Sequence, residues 1–271
     1  SSSIKCAIET PNAGKLPSRR LAVSRLDTWR ALVCYAMLVD RYTNNMPLAC
    51  SVLTTGASKS ITAAVQVPET GGTNAGGTTY GTNSVSLSQG STCETGKLCT
   101  MVCHTMTSGE GRCFVALFDT STRQLTYKTA TSFTTSGSYA VQVVRLDARN
   151  NLVCWQYGVQ FYYRDCHLAV TDAATLVPAF PGSNYNMGTG GKHWTAVTAL
   201  SPTQQVMCRR FYDTALSSHT LVCRAFTSDL AAYTITTSAT DDVLYSTLTQ
   251  DLDVVEVTAV STRRLCSVRG P

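Results

Sequence analysis

The sequence predicts an all-β fold, a disulfide-stapled β-propeller of five blades, and three observations lead to it. Ser, Thr, Gly and Val are abundant while only 14% of residues are charged, a mixture that suits short strands and polar turns rather than helices. A Val-rich strand closing on a Leu or Val turn recurs at Leu26, Leu87, Leu146, Leu200 and Val260, and a period of that length marks a repeat architecture. The twelve cysteines, an even number, fall largely as one couplet per unit.

Each unit joins its Val-rich strand, through the turn, to a strand ending in an apolar-Cys pair, and a return strand carries the second cysteine. Unit one reads LAVSRLDTWRALVCYAM and returns as MPLACSVLTT, pairing Cys34 with Cys50. Unit two reads SVSLSQGSTCETGKLCTMVCHTM and returns as GRCFVALFD, pairing Cys103 with Cys113. Unit three, VQVVRLDARNNLVCWQY and RDCHLAV, pairs Cys154 with Cys166; unit four, TAVTALSPTQQVMCRRF and HTLVCRAF, pairs Cys208 with Cys223. The loops so closed would each contribute roughly 3 kcal/mol. A fifth unit opens at VVEVTAVSTRRLCSV without a return strand, and Ser3–Thr10 (SIKCAIET) supplies one, so Cys266 is expected to bond Cys6. Cys93 and Cys99 bracket the turn TCETGK as a sixth pair, with Cys99–Cys113 as an alternative.

About four strands per unit gives the propeller its blades. Ser60–Val67, Gln124–Thr129 and Ala232–Thr237 are expected as outermost strands. Blade 1 is expected to span about 20–70, blade 2 about 83–136, blade 3 about 139–190 and blade 4 about 194–250, with blade 5 split between about 1–18 and 253–271 in a single domain. Pro11–Arg20 holds two prolines and is poor strand material, which leaves strand Ser3–Thr10 as the outer edge of blade 5. The runner-up architecture, a pair of β-sandwiches, fits the regular turn spacing less well. In layout the chain resembles the five-bladed β-propeller proteins, including propeller lectins, over its whole length. The resemblance implies a fold and no more.

Composition also narrows function. Twelve cysteines without a CxxC pair point to an oxidising, extracellular setting rather than structural zinc, so the protein is expected to be secreted, with Ser1 the start of a processed chain. The net charge of +5 comes from scattered pairs such as Arg19–Arg20 and Arg263–Arg264, and no nucleic-acid partner is expected. The longest apolar run, Ala31–Val39, is too short to span a bilayer, and there is no N-glycosylation sequon. Cys93, Cys99, Cys103 and His104 lack zinc spacing, so neither metal nor cofactor is expected.

Two functions from different classes fit. The first is a non-enzymatic, lectin-like module that binds glycans through Trp155, Tyr157, Tyr162, Tyr35, Tyr212 and Trp194, aromatics near the blade ends that could stack on sugar rings; the competing role for such rings is packing between blades. The second is a structural protomer that meets another copy of itself through the incomplete fifth blade and builds a fibre. A third, glycoside hydrolysis by Asp27 and Asp147, requires paired carboxylates, but Ser88, Ser201 and Ser261 take the same place in other units, and Asp and Ser both start turns by bonding their own backbone. No nucleophile elbow, HExxH or phosphate loop is present.

Overall fold

A computed structural model describes residues 21–36, 48–55, 61–68, 82–106, 108–135, 137–157, 163–186, 195–213, 218–237, 242–248, 258–261 and 264–266. All regular structure among them is antiparallel β. The first sheet runs in chain order through β1 (Leu21–Arg25), β2 (Arg30–Ala36), β3 (Leu48–Thr55) and β4 (Ile61–Pro68). The second contains β5 (Thr82–Leu87), β6 (Ser91–Glu94), β7 (Lys97–Met106), β8 (Gly111–Asp119), β9 (Leu125–Tyr127) and β10 (Thr131–Thr134), ordered β5-β7-β8-β10 with β6 on β7 and β9 on β8. The third orders β11 (Ser138–Arg145), β12 (Asn150–Tyr157), β13 (Tyr163–Thr171) and β14 (Pro178–Ala179), with β15 (Tyr185–Asn186) also on β13. The fourth orders β16 (Thr195–Ala199), β17 (Gln204–Asp213), β18 (Ser218–Asp229) and β19 (Thr234–Thr237), with β20 (Asp242–Leu248) also on β18. The fifth is a hairpin of β21 (Thr258–Ser261) and β22 (Arg264–Cys266).

The expected outer strand of unit one is β4, shifted by one residue. In units two to four the outermost position is filled by two pieces rather than one strand. The break in the third sheet falls at Pro181 and Gly182, where proline cannot donate to a ladder and Gly182 has φ of 82°. No residue fits better there than glycine, because a Cβ would stand 2.5 Å from the Tyr233 carbonyl of the fourth sheet.

The sheets stack face to face, each inner strand contacting the next: β1 with β5, β5 with β11, β11 with β16 and β16 with β21. Successive meanders packed this way are the layout of a propeller. The core therefore lies in the seams. Leu32, Cys34, Cys50 and Val52 of the first sheet pack on Val102, Phe114 and Phe118 of the second. Met101, Cys103, Cys113 and Phe133 pack on Val141, Val143, Val153 and Trp155 of the third. Leu152, Cys154, Cys166 and Leu168 pack on Val197, Met207, Phe226 and Ile235 of the fourth. Burying one such Leu or Phe contributes about 2 kcal/mol, so the middle sheets, covered on both faces, hold the most stabilisation.

Four bridges join directly opposed residues on the two central strands of a sheet: Cys34–Cys50, Cys103–Cys113, Cys154–Cys166 and Cys208–Cys223, with Cα atoms 4.0–4.1 Å apart. Period-2 alternation puts every bridge on the same face of its sheet, and in the first three that face meets the following sheet. Cys93 and Cys99, expected to pair, are free thiols. Their register differs from that of the bridged pairs: Thr92 pairs with Leu98 and Glu94 with Lys97, so Cys93 falls on a bulge and Cys99 faces Ser91. Cys6 lies outside the described residues, and of Cys266 only the backbone, paired with Thr258, is described. The proposed Cys6–Cys266 bridge, strand Ser3–Thr10 and the split of blade 5 fall outside the described residues.

Polar side chains seal the inner strands, whose outer backbone edge would otherwise be open. Ser84 and Ser86 accept from the Val141 and Val143 N–H groups at 3.1 and 3.0 Å, and the Gln142 amide oxygen accepts from the Val197 N–H at 2.8 Å. The first seam works differently. The Ser24 hydroxyl donates to the Ser88 carbonyl at 2.7 Å, and the Gly90 N–H donates to the Arg25 carbonyl at 3.0 Å. A Cβ on Gly90 would come within 2.7 Å of the Leu26 Cα, so this approach requires glycine.

Candidate functional site

The sequence singled out Asp27 and Asp147, and the structure shows what they do. At Asp27, Oδ1 accepts from the Trp29 and Arg30 N–H groups at 2.7 and 2.8 Å, and Oδ2 pairs with the Arg30 guanidinium at 2.8 Å. At Asp147, Oδ1 accepts from the Arg149 and Asn150 N–H groups, both at 2.7 Å, and Oδ2 from the Asn150 amide. Ser201 does the same in the fourth sheet, its hydroxyl accepting from the Gln204 N–H at 3.0 Å. The backbone closes identically in all three, from Leu26 to Arg30, Leu146 to Asn150 and Leu200 to Gln204. These carboxylates cap turns, as the Asp/Ser interchange suggested, and their oxygens are occupied.

Among the proposed sugar-stacking aromatics, Trp155 is buried, 3% exposed, with its ring centroid 4.9 Å from that of Phe133. Phe133 is in turn held by Phe180 at 6.0 Å, and its ring occupies the space that a side chain at Gly111 would need. Trp155 therefore packs between the second and third sheets rather than presenting a stacking platform. Tyr35 is half-buried on β2. Tyr157 and Tyr212 sit at strand positions opposite Tyr163 and His219, with side chains outside the described set. Tyr162 and Trp194 lie outside the described residues. Of the six, only Trp155 and Tyr35 have described side chains, and Trp155 is a packing residue.

A different residue emerges on the rung next to the Cys154–Cys166 bridge. Asp165 pairs across the ladder with Trp155 at the hairpin end of the third sheet. One carboxylate oxygen, Oδ2, accepts from the Asn184 amide at 3.3 Å, and the other, Oδ1, is buried with no hydrogen-bond partner; the Trp155 indole N–H is in the same condition. Burial pushes the Asp165 carboxyl up from the ordinary carboxylate range, and the Asn184 and Asn186 amides oppose this only in part. Asp119, Asp172 and Glu110 behave oppositely. The hydroxyl and backbone donors of Ser121 and Thr122 hold Asp119 down at about 2, and backbone and hydroxyl donors likewise depress Asp172. Glu110, held at 2.7 Å by both Arg112 and Ser132, is also lowered. A carboxyl biased toward its protonated form, beside an aromatic ring, can give up a proton.

Asp165 is the one acid that directly precedes a return cysteine in units one to four, where the others have Ala49, Arg112 and Val222, but a single acid on a strand carries no motif. The signal available was the Asn184–Asn186 pair, whose amides reach it from β15 and the loop before it.

Cys103, considered as a metal ligand with Cys93, Cys99 and His104, is committed to its bridge, and among the described residues no cluster of three or more His, Cys, Asp or Glu side chains could hold a metal. Among the same residues, no helix is long and apolar enough to cross a membrane.

No family model and no curated protein matches this chain. Solved structures with a similar chain path include a GH43_1 enzyme from Xanthomonas citri complexed with xylotriose, at 9% identity and TM-score 0.44, covering 92% of this chain and 81% of that one. They also include a Cellvibrio cellulosa alpha-L-arabinanase complexed with arabinohexaose, at 10% identity and TM-score 0.44, covering 80% and 76%. A sucrose-6-phosphate hydrolase from Lactobacillus gasseri matches at 10% identity and TM-score 0.42, over 83% and 50%. The propeller layout stands on the sheet order and inter-sheet contacts described above. The expectation of a non-enzymatic, lectin-like protein is corrected on the geometry: Trp155, one of the rings it relied on, is a packing residue.

Proposed function

We propose that this chain is an extracellular glycoside hydrolase built on a five-bladed propeller, with Asp165 as its proton donor. The observation that carries the reading is the state of the Asp165 carboxyl: burial favours its neutral form, one oxygen has no protein partner, and Trp155 lies opposite it. Glycosidic cleavage takes one carboxyl that is protonated and one that is ionised. Asp165 suits the first role, since a general acid works best when its pKa is drawn toward the working pH. Asp27 and Asp147 are unsuited to the second, because their oxygens hold their own turns. The bridges favour an oxidising location outside the cell. The fifth blade, in this reading, combines β21 and β22 with the N-terminal segment and completes a single domain.

The test is hydrolysis by the purified full-length chain of a panel of aryl glycosides and of xylo- and arabino-oligosaccharides. Release of reducing sugar, reduced about 100-fold or more in Asp165→Asn with the fold intact by circular dichroism, is the expected result. A panel that stays blank, or an Asp165→Asn protein as active as the parent, removes the proposal.

A further inference from the structure

A cleft of about 210 Å³ opens between the second and third sheets at the end bearing the Asp147 turn, walled by Cys93, Cys99, Thr100, Arg145, Asn151 and Leu176 among others. Its two thiols are unlike the bridged cysteines. The bridged pairs sit on shared rungs, whereas the bulge at Cys93 leaves Cys99 opposite Ser91. The Cys93 Sγ lies 3.9 Å from the Lys97 carbonyl, and the Cys99 Sγ lies 4.0 Å from the Ser91 hydroxyl. Arg145 donates to that same hydroxyl and to the Gln89 and Ala148 carbonyls, which fixes its guanidinium beside the thiols. A second, independent feature lines the cleft: Asn151, 6% exposed, has a buried amide oxygen without a hydrogen-bond partner. An orphaned acceptor there asks for a donor brought by water or by a guest molecule.

We propose that Cys93 and Cys99 form a reversible dithiol–disulfide pair that exchanges with low-molecular-weight disulfides entering this cleft. Cys99 is the attacking group. Its thiol is held below the ordinary range by the hydrogen bond from Cys93, and then by the Ser91 hydroxyl and the Arg145 charge, against the opposing effect of burial. Cys93 is pushed up, chiefly by its neighbour Cys99 and then by burial, and holds its proton while Cys99 carries the charge. The Cys99 thiolate attacks one sulfur of the guest disulfide; the guest S–S bond breaks, one thiolate leaves and a mixed disulfide remains on Cys99. With the Cys99 charge consumed in the mixed disulfide, Cys93 no longer holds its proton so tightly and gives it to that leaving thiolate. Cys93 then attacks the Cys99 sulfur, the second guest thiolate leaves, and the Cys93–Cys99 bond forms. One guest disulfide is reduced to two thiols as two protein thiols are oxidised to one disulfide. A hydroxyl on the guest would meet the Asn151 oxygen.

The probe is bis(2-hydroxyethyl) disulfide, added to the full-length protein, with alkylation of the remaining thiols and peptide mapping by mass spectrometry. Before treatment after mild reduction, Cys93 and Cys99 are the alkylated pair while the four bridges persist; after treatment, a peptide joined through Cys93 and Cys99 appears. Cys93→Ser stops the reaction at a hydroxyethylthio adduct on Cys99. Arg145→Gln slows adduct formation about tenfold, and Arg145→Lys restores most of the rate, which a purely structural role for the arginine would not do. The proposal is overturned if Cys93–Cys99 resists mild reduction as the four bridges do, if the adduct forms elsewhere, or if Arg145→Gln reacts at the parent rate. Should Arg145→Gln not fold, the Cys93→Ser adduct decides alone.

Discussion

Leu21 and Val23 on β1 and Val141 and Val143 on β11 occupy the same places in their sheets, flanking the residue that faces the first bridged cysteine. Their surroundings are opposite. Val141 and Val143 are 5% and 4% exposed beneath the second sheet, while Leu21 and Val23 are 45% and 61% exposed. Val85 and Val197, in corresponding places on β5 and β16, are buried like the β11 pair. Nothing in the side chains themselves separates the two outcomes. An inner strand of this architecture is covered by the preceding sheet, so its burial depends on a neighbour tens of residues away rather than on its own alternation.

The largest effect should come from the covered side of this comparison. Phe133→Ala removes the ring that fills the second seam between Trp155, Phe180 and Gly111, and should lower unfolding free energy by about 3–5 kcal/mol in urea titration, because the neighbouring Gly111 has no side chain to fill the void. A loss below about 1 kcal/mol would mean that the seam is loosely packed. Next is the joint change of Cys154 and Cys166 to Ala, expected to cost about 3 kcal/mol for a loop of this length.

Acid tests the same seams by another route. Burial holds the His104 imidazole down at about 4, below its unfolded value near 6.5, and lowers His167 for the same reason. A depressed folded-state pKa gives stability that is whole above the unfolded value and is lost as pH falls toward the folded one. Stability should therefore decline between about pH 6.5 and 4, and His104→Phe should flatten part of that decline when denaturation midpoints are compared across pH. Smaller again is Asp147→Ala, which deprives two backbone N–H groups of their acceptor and should cost about 1 kcal/mol, with Asp147→Ser closer to the parent, as Ser201 already serves in the fourth sheet. At the bottom of the scale is Val23→Ser, expected within about 0.5 kcal/mol of the parent for so exposed a position. A substantially larger loss would show that another sheet lies on β1 in solution, and would sharpen the case for a closed ring.

Much of the sheet layout was legible because it is written locally and five times over: a Val-rich strand, an Asp or Ser turn, an apolar-Cys pair. The turn role of Asp27 and Asp147 could be read from Ser201 in the same place. Cys93 was less legible, since a one-residue bulge leaves no mark in TCETGK yet moves a sulfur off its rung. Trp155 was ambiguous because a ring that packs and a ring that stacks on sugar have the same composition, and Phe133, the residue that covers it, lies in another unit. Asp165 was hard to read for the same reason: the upward shift of its carboxyl comes from burial on the third sheet, not from the residues beside it in the chain.

The three staples Cys34–Cys50, Cys103–Cys113 and Cys154–Cys166 each lie under the sheet that follows. Sulfur placed there is out of reach of any reductant until two neighbours come apart. Covalent and non-covalent cohesion are thereby linked in series, and a molecule that keeps its stack closed also keeps its cross-links, however harsh the thiol chemistry outside.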